Sequence, residues 1–440
     1  MKCDVCGMES DFSAAFRKER KAFRKSAGTY CPVCWQRYSK MISILPLIIL
    51  SLVGIVSYGA LWLSKLPELE LARQALSTIV LLYLFFILSI VPHELGHAIA
   101  AWLVGFRVFN IAFGYGKLLF KFRLFGTIVS FHWVPIVGIV RSAPRAIDWH
   151  RTKYFIKILA GPAANAIIVV AIVYISWHHN GVPVSAQLFL IANLLILISA
   201  IVPYRYSSLN LDSDGKQMIL VFSKKQKQIE QAHAAHFLLE ATTRWNEHRD
   251  IEDAVQWCEK GLALYPDELQ LLNMRGLLCL ERGAFAQGRE IYLQLLQRES
   301  KPSAWRFALL NNIAYSDVLL GDPSLLPEAN TCSEEAYKNL PWADFAIGTR
   351  GTVLVEMKKY EEGIKLLKES IKKTEDTRSK ALNACHLSIA YSRMGDFDQA
   401  AQYLKLARHI DSRCSLLERA EAELRKHQGR PLPDTSVARD

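Results

Sequence analysis

Four long apolar runs before residue 204 decide most of what this chain can become. Residues 41 to 63, MISILPLIILSLVGIVSYGALWL, are 23 residues without a formal charge. At about 1.5 Å per residue that is enough to cross a hydrocarbon core of about 30 Å. Further runs lie at about 76 to 106, 158 to 177 and 184 to 203. A segment in lipid must satisfy its own backbone, so each run is expected as a helix. Four spans return both ends to one side, and the Lys and Arg counts say which. Residues 1 to 40 hold nine, 64 to 75 two, 107 to 153 eight and 178 to 183 none. This bias places the N-terminus, the long middle loop and everything after Pro203 in the cytoplasm. The expected location is a bacterial inner membrane, with the lipid bilayer as one partner.

The 440 residues are 51% hydrophobic yet carry 53 Lys+Arg against 42 Asp+Glu, and both features are local. The apolar excess precedes residue 204; the charge gathers in the first forty residues, the middle loop and the C-terminal half. Residues 107 to 140 alternate Phe, Val and Ile in short runs broken at Gly114, Gly116, Gly126 and Pro135. That pattern predicts short strands or a hairpin packed against or into the bundle.

From about residue 230 the pattern changes to amphipathic helix. DIEDAVQWCEKGLALYP (250 to 266) and GDFDQAAQYLKLARHID (395 to 411) share their Ala, aromatic and apolar positions. Ala254, Gly288, Ala336, Gly363 and Ala400 occupy the place where paired helices must approach closely, and their first spacing is 34. The segment resembles four or five tetratricopeptide repeats with loop insertions.

Within the second run stands HELGH, residues 93 to 97. On a helix, residues i and i+4 share a face, so His93 and His97 can offer nitrogens to one ion, with Glu94 beside them as a general base. An ionisable residue at bilayer depth costs on the order of 3 kcal/mol or more on insertion scales and is by default functional. A catalytic zinc takes three protein ligands and keeps one open position. The candidate third ligand is Asp214 in SDG (213 to 215), with Asp212 the alternative.

Over residues about 76 to 222 the chain resembles the site-2 proteases, the intramembrane zinc metalloproteases of peptidase family M50. The matching stretches are HELGH, HWVPIVG (132 to 138), LAGPAAN (159 to 165), and Pro203 followed by SDG. The resemblance implies that His93, His97 and Asp214 bind a catalytic zinc and that Glu94 is the catalytic base. It also implies cleavage of transmembrane segments in membrane-tethered substrates, that is, regulated intramembrane proteolysis. The family's Asn-x-x-Pro is not matched here, since Ala200 stands three residues before Pro203. Asn165 and Asn193 are therefore the candidates for its substrate contact. Gly161 and Pro162 are read as close packing and a local break.

Cys3, Cys6, Cys31 and Cys34 form two Cys-x-x-Cys pairs separated by 24 residues, a pattern that suits a structural four-thiolate zinc site. The basic run between them is read as a topology determinant and lipid contact, so nucleic acid is not an expected partner.

The expected fold is mainly α. It comprises a polytopic bundle of about four spans with a β-hairpin region, a small N-terminal zinc ribbon and a C-terminal α-solenoid. The expected domains are 1–40 (ribbon and basic segment), 41–229 (intramembrane metalloprotease), 230–428 (repeats) and 429–440 (disordered tail). The repeats are expected to recruit or gate substrate by binding a cytoplasmic protein or peptide. The competing reading is a non-catalytic, membrane-anchored repeat scaffold.

Overall fold

The computed structural model describes residues 70–179, 181–206 and 211–429, and the backbone of two short strands. These strands, β1 (Arg17–Arg20) and β2 (Ala27–Tyr30), pair antiparallel. The four N-terminal cysteines, the run at 41 to 63 and the tail from 430 lie outside the described residues. The described residues fall into two compact units that divide between Thr243 and Arg244. The boundary expected at 229–230 falls inside a helix of the first unit.

The first unit is built on three helices, α1 (Glu70–Leu103), α2 (His150–His178) and α3 (Val184–Ile201), each long and apolar enough to cross a membrane. The second expected span begins earlier than its apolar run, at Glu70, and ends at Leu103, while the third extends at both ends, because polar flanking turns continue the helix. Each helix packs against the other two. Their polar residues point inward: Ser89, His93, Glu94, His97, Asn165 and Asn193 are all buried, while Leu84, Leu88, Ile167, Val170, Val173 and Ile198 are exposed. Apolar side chains outward and polar ones inward is the arrangement a lipid solvent favours.

Between α1 and α2 run β3 (Phe106–Leu124) and β4 (Thr127–Pro144), an antiparallel pair broken by repeated bulges. Bulges fold the pair back, so that one stretch of β3 is flanked on both sides. Ile111 faces Val140 on one side and Val129 on the other, and Phe113 faces both Gly138 and Phe131. Gly114, with φ of 88°, takes the turn inside β3; a side chain there would press on the His132 and Val134 carbonyls. The flanked stretch carries Phe106, Val108, Ile111 and Phe113 into a core with Ile90, Ala98 and Ala101 of α1 and Ile196 of α3. The expected hairpin is present, and its root is anchored on the bundle.

After α3 come β5 (Arg205–Tyr206), β6 (Leu211–Asp212), α4 (Asp214–Ser223) and α5 (Gln226–Thr243). α5 braces the root of the hairpin: His233 Nε2 lies 2.9 Å from Arg145 O, and Arg107 Nε donates to Glu240 at 3.2 Å.

The second unit opens with a single π-turn, Arg244–His248, and α6 (Ile251–Leu264). Four helix pairs follow among the described residues: α7 (Leu269–Glu281) with α8 (Phe285–Gln297), and α9 (Ala304–Leu320) with α10 (Leu326–Asn339). Next come α11 (Asp344–Glu356) with α12 (Tyr360–Lys373), α13 (Thr377–Met394) with α14 (Phe397–Ile410), and a final α15 (Leu417–His427). Each helix packs on its chain neighbours, and α9, α11, α13 and α15 also pack in succession. That is the nearest-neighbour stacking of a solenoid. The small residues sit where helices touch. A Cβ on Gly288 would press on Leu280 and Gly276 O, and one on Gly363 would meet Gly351 O at 2.8 Å.

Candidate metal centre

Pro92 lies in α1 one residue before His93. Having no N–H, it deprives the carbonyl four residues back, at Leu88, of its helical donor, and it loosens that turn. On the next carbonyl, Ser89 O, the Asn165 side chain settles, its Nδ2 donating at 3.0 Å. The same group donates to Asn193 Oδ1 at 2.8 Å, and Asn193 Nδ2 donates to Phe189 O at 2.9 Å. With both protons of its amide committed, Asn165 presents Oδ1 to His93 Nδ1 at 2.7 Å. His93 Nδ1 is therefore the protonated nitrogen. His97 Nδ1 donates to the Lys157 carbonyl at 2.8 Å, and a carbonyl can only accept.

Both Nε2 atoms are then left with bare lone pairs. They lie 3.2 Å apart, and Asp214 Oδ2 lies 3.0 Å from the first and 3.3 Å from the second. Three electron-rich atoms converging in a buried site make a donor set suited to a cation. For bonds of about 2.0–2.1 Å the edge of a zinc tetrahedron is about 3.3 Å, close to the three observed separations. The donor set and its spacing fit zinc. This trio is the group of potential ligands that converges among the described residues.

Asp214 is delivered by local sequence. Ser213 caps α4: its Oγ accepts from Lys216 N at 3.3 Å and Tyr204 N at 2.9 Å and donates to Val202 O at 2.8 Å. Gly215 permits the approach, since any Cβ there would overlap the Ile201 carbonyl at the end of α3. The Asp214 side chain lies largely buried beside both imidazoles. Asp212, the alternative ligand, is turned away and pairs with Lys216 at 3.0 Å.

Two glycines shape the chamber. A Cβ on Gly161 would overlap the His97 ring, and one on Gly138 would overlap Cγ, Cδ and Oε1 of Glu94. Gly161 thus does more than pack helices, and Gly138 seats the buried Glu94 carboxylate against β4. Glu94 shares its chamber with both imidazoles and Asp214, which act on its charge. Asn165 and Asn193, expected at the substrate, are instead fully buried behind His93. His132 stays within the sheet, 3.0 Å from Gly116 O. His150 is buried against Phe106 and Tyr154.

The model of peptidase family M50 matches residues 81–394, more than half of the chain. The chain belongs to peptidase family M50. The M50 match spans the convergent trio and most of the helical repeats. No curated protein matches the chain. Among solved structures it is similar to a thermophilic tetratricopeptide-repeat protein of Thermus thermophilus, at 16% identity and a TM-score of 0.35, over 43% of this chain and 98% of that one. It is also similar to PilF of Pseudomonas aeruginosa, at 14% identity and a TM-score of 0.30, over 59% of this chain and 97% of that one. For this M50 chain the case for repeats rests on the stacked helix pairs themselves.

Proposed function

We propose that this M50 chain is an intramembrane zinc endopeptidase that hydrolyses a peptide bond within, or at the cytoplasmic edge of, a substrate's transmembrane segment. The observation that carries the reading is the convergence of His93 Nε2, His97 Nε2 and Asp214 Oδ2 inside a bundle of apolar helices. Such a trio would hold zinc, which when bound supplies Lewis acidity toward water and toward the scissile carbonyl. Glu94 takes a proton from the attacking water on its carboxylate and passes it to the leaving amine nitrogen. Asn165 and the Lys157 carbonyl hold the two imidazoles in the tautomer that leaves Nε2 unprotonated. Gly138 of the bulged sheet brings backbone to Glu94, so a substrate pulled out of helical form has strand N–H and C=O groups to pair with.

The Cys3, Cys6, Cys31 and Cys34 set is proposed to hold a second, structural zinc. The repeats are proposed to select or gate membrane-tethered substrates by binding a cytoplasmic protein or peptide, with both chain ends in the cytoplasm, as in regulated intramembrane proteolysis. Truncation after Thr243 is then expected to change which substrates are cut, and unchanged selectivity would contradict that role. A non-catalytic scaffold has no use for the tautomer-fixing contacts behind His93 and His97. The direct test is cleavage of a membrane-embedded helical substrate by wild type and Glu94→Gln, with fragments weighed by mass spectrometry. Wild type is expected to produce a cut within the apolar segment; equal cleavage by Glu94→Gln would remove the proposed base.

A further inference from the structure

The run at 158 to 177 in α2 has no charged residue, while the first two turns of the helix carry Arg151, Lys153 and Lys157. Lys153 is neutralised by Asp148 at 2.5 Å. Arg151 and Lys224 are not: among the described residues no carboxylate pairs with either, while Lys157 makes no ion pair but lies within reach of the Asp214 and Glu94 charges. Arg151 Nη2 donates to the Lys224 carbonyl at 2.9 Å. Lys157 Nζ lies 4.5 Å and Lys224 Nζ 3.9 Å from the centre of the Tyr154 ring. Two ammonium groups are thereby held no more than about 8 Å apart on one aromatic ring. Lys157 is buried and its Nζ has the Ser142 hydroxyl, 3.1 Å away, as a partner. Burial draws the Lys224 ammonium below the ordinary lysine range, with no acid offsetting it.

We propose that Arg151, Lys157 and Lys224, gathered around Tyr154, form a seat for the phosphodiester of an anionic membrane lipid. A phosphodiester supplies one negative charge and two free oxygens. The arginine can grip these in a forked geometry while the lysines act as point charges. The place is right for a headgroup, where an apolar helix gives way to a basic, aromatic-bearing end. The seat also reaches the turn that precedes Asp214 through hydrogen bonds. Tyr154 Oη donates to Gln217 Oε1 at 3.3 Å, and Gln217 Nε2 donates to Asp212 O at 2.9 Å. With the Arg151 contact to Lys224, an occupant ties α2 to both ends of α4, which carries Asp214. Headgroup occupancy is therefore expected to favour zinc retention and turnover. That consequence rests on the metallopeptidase reading, whereas the binding itself does not.

The test uses the full-length chain in vesicles of phosphatidylcholine with or without phosphatidylglycerol, with lipid retention read by native mass spectrometry. Wild type is expected to retain phosphatidylglycerol at least fivefold over phosphatidylcholine. Arg151→Gln/Lys224→Gln is expected to lose that preference, and Lys225→Gln/Lys227→Gln to keep it. If the double variant fails to insert, Lys224→Gln alone is expected to lower retention at least twofold with an unchanged circular dichroism spectrum. Equal preference in wild type and the seat variants overturns the proposal. Displacement of the lipid by millimolar inorganic phosphate assigns the seat to free phosphate and overturns the lipid as occupant. A lost preference with unchanged zinc content and turnover retains the seat and removes its link to Asp214.

Discussion

Asn165 Oδ1 stands 2.7 Å from His93 Nδ1, and the Asn165 amide is itself oriented by Ser89 O and Asn193 Oδ1. The relay runs from α3 through α2 to the motif helix α1 and dictates which His93 nitrogen is free to bind a metal. Asn165→Ala is expected to weaken zinc binding by about 10–100-fold, the usual effect of losing such an outer contact. Asn193→Ala, one step further out, should cost less. Competition against a chelator of known affinity measures both, and wild-type affinity in Asn165→Ala would show that the relay holds nothing in place.

Gly138 and Gly161 separate the base from the ligands. Gly138→Ala pushes on Glu94 and should lower turnover by about 10²–10⁴-fold, the span of a general base's contribution, while zinc content stays at the wild-type level. Gly161→Ala pushes on His97 and should lower zinc content itself. Finding zinc lost from Gly138→Ala and kept in Gly161→Ala would reverse these assignments.

The convergent trio was legible because the HELGH spacing matches a helical turn and SDG follows an apolar run; in the structure Asp214 meets both imidazoles, while Asp212 pairs with Lys216. The repeats were legible from small residues at Ala254, Gly288, Ala336, Gly363 and Ala400, all buried at helix contacts. The Asn165 relay was not, since its partners lie 72, 76 and 28 residues away and their meeting depends on how three helices pack. Nor was the seat of Glu94. A glycine ending HWVPIVG signals a close approach to something, and only the fold of the bulged sheet says to what.

His386 in α13 is 1% exposed, and neither ring nitrogen has a hydrogen-bond partner. Burial, aided by Arg419 and Arg393, pushes it down to about 3. Unfolded, it would take a proton near pH 6.5. The unfolded chain therefore binds the extra proton between those values, and stability falls as pH drops through that window. Between pH 7 and pH 5 this residue alone should remove about 2 kcal/mol. Denaturant midpoints for wild type and His386→Leu at the two pH values measure it; the variant should show the smaller change. An identical pH dependence would mean that His386 is not the group responsible.

Arg393 in α13 donates to Glu356 of α11 at 2.8 Å and to Glu423 of α15 at 2.7 Å, tying three helices of the solenoid. Arg393→Met leaves two carboxylates facing each other with little solvent, and should cost about 2–4 kcal/mol. A lower melting temperature for the repeat transition reports it, and Glu423→Gln should cost less because Glu356 keeps its partner. No shift in melting would show that the bridge is solvated and contributes little, as exposed ion pairs do.

The most direct measurement is zinc per chain, taken alongside substrate cleavage, for wild type, Asp214→Ala and Glu94→Gln purified in parallel. Asp214→Ala is expected to carry one zinc fewer than wild type, Glu94→Gln to carry the same number, and neither to cut. Undiminished zinc in Asp214→Ala, or a cut by Glu94→Gln at the wild-type rate, would contradict a metallopeptidase centred on His93, His97, Asp214 and Glu94.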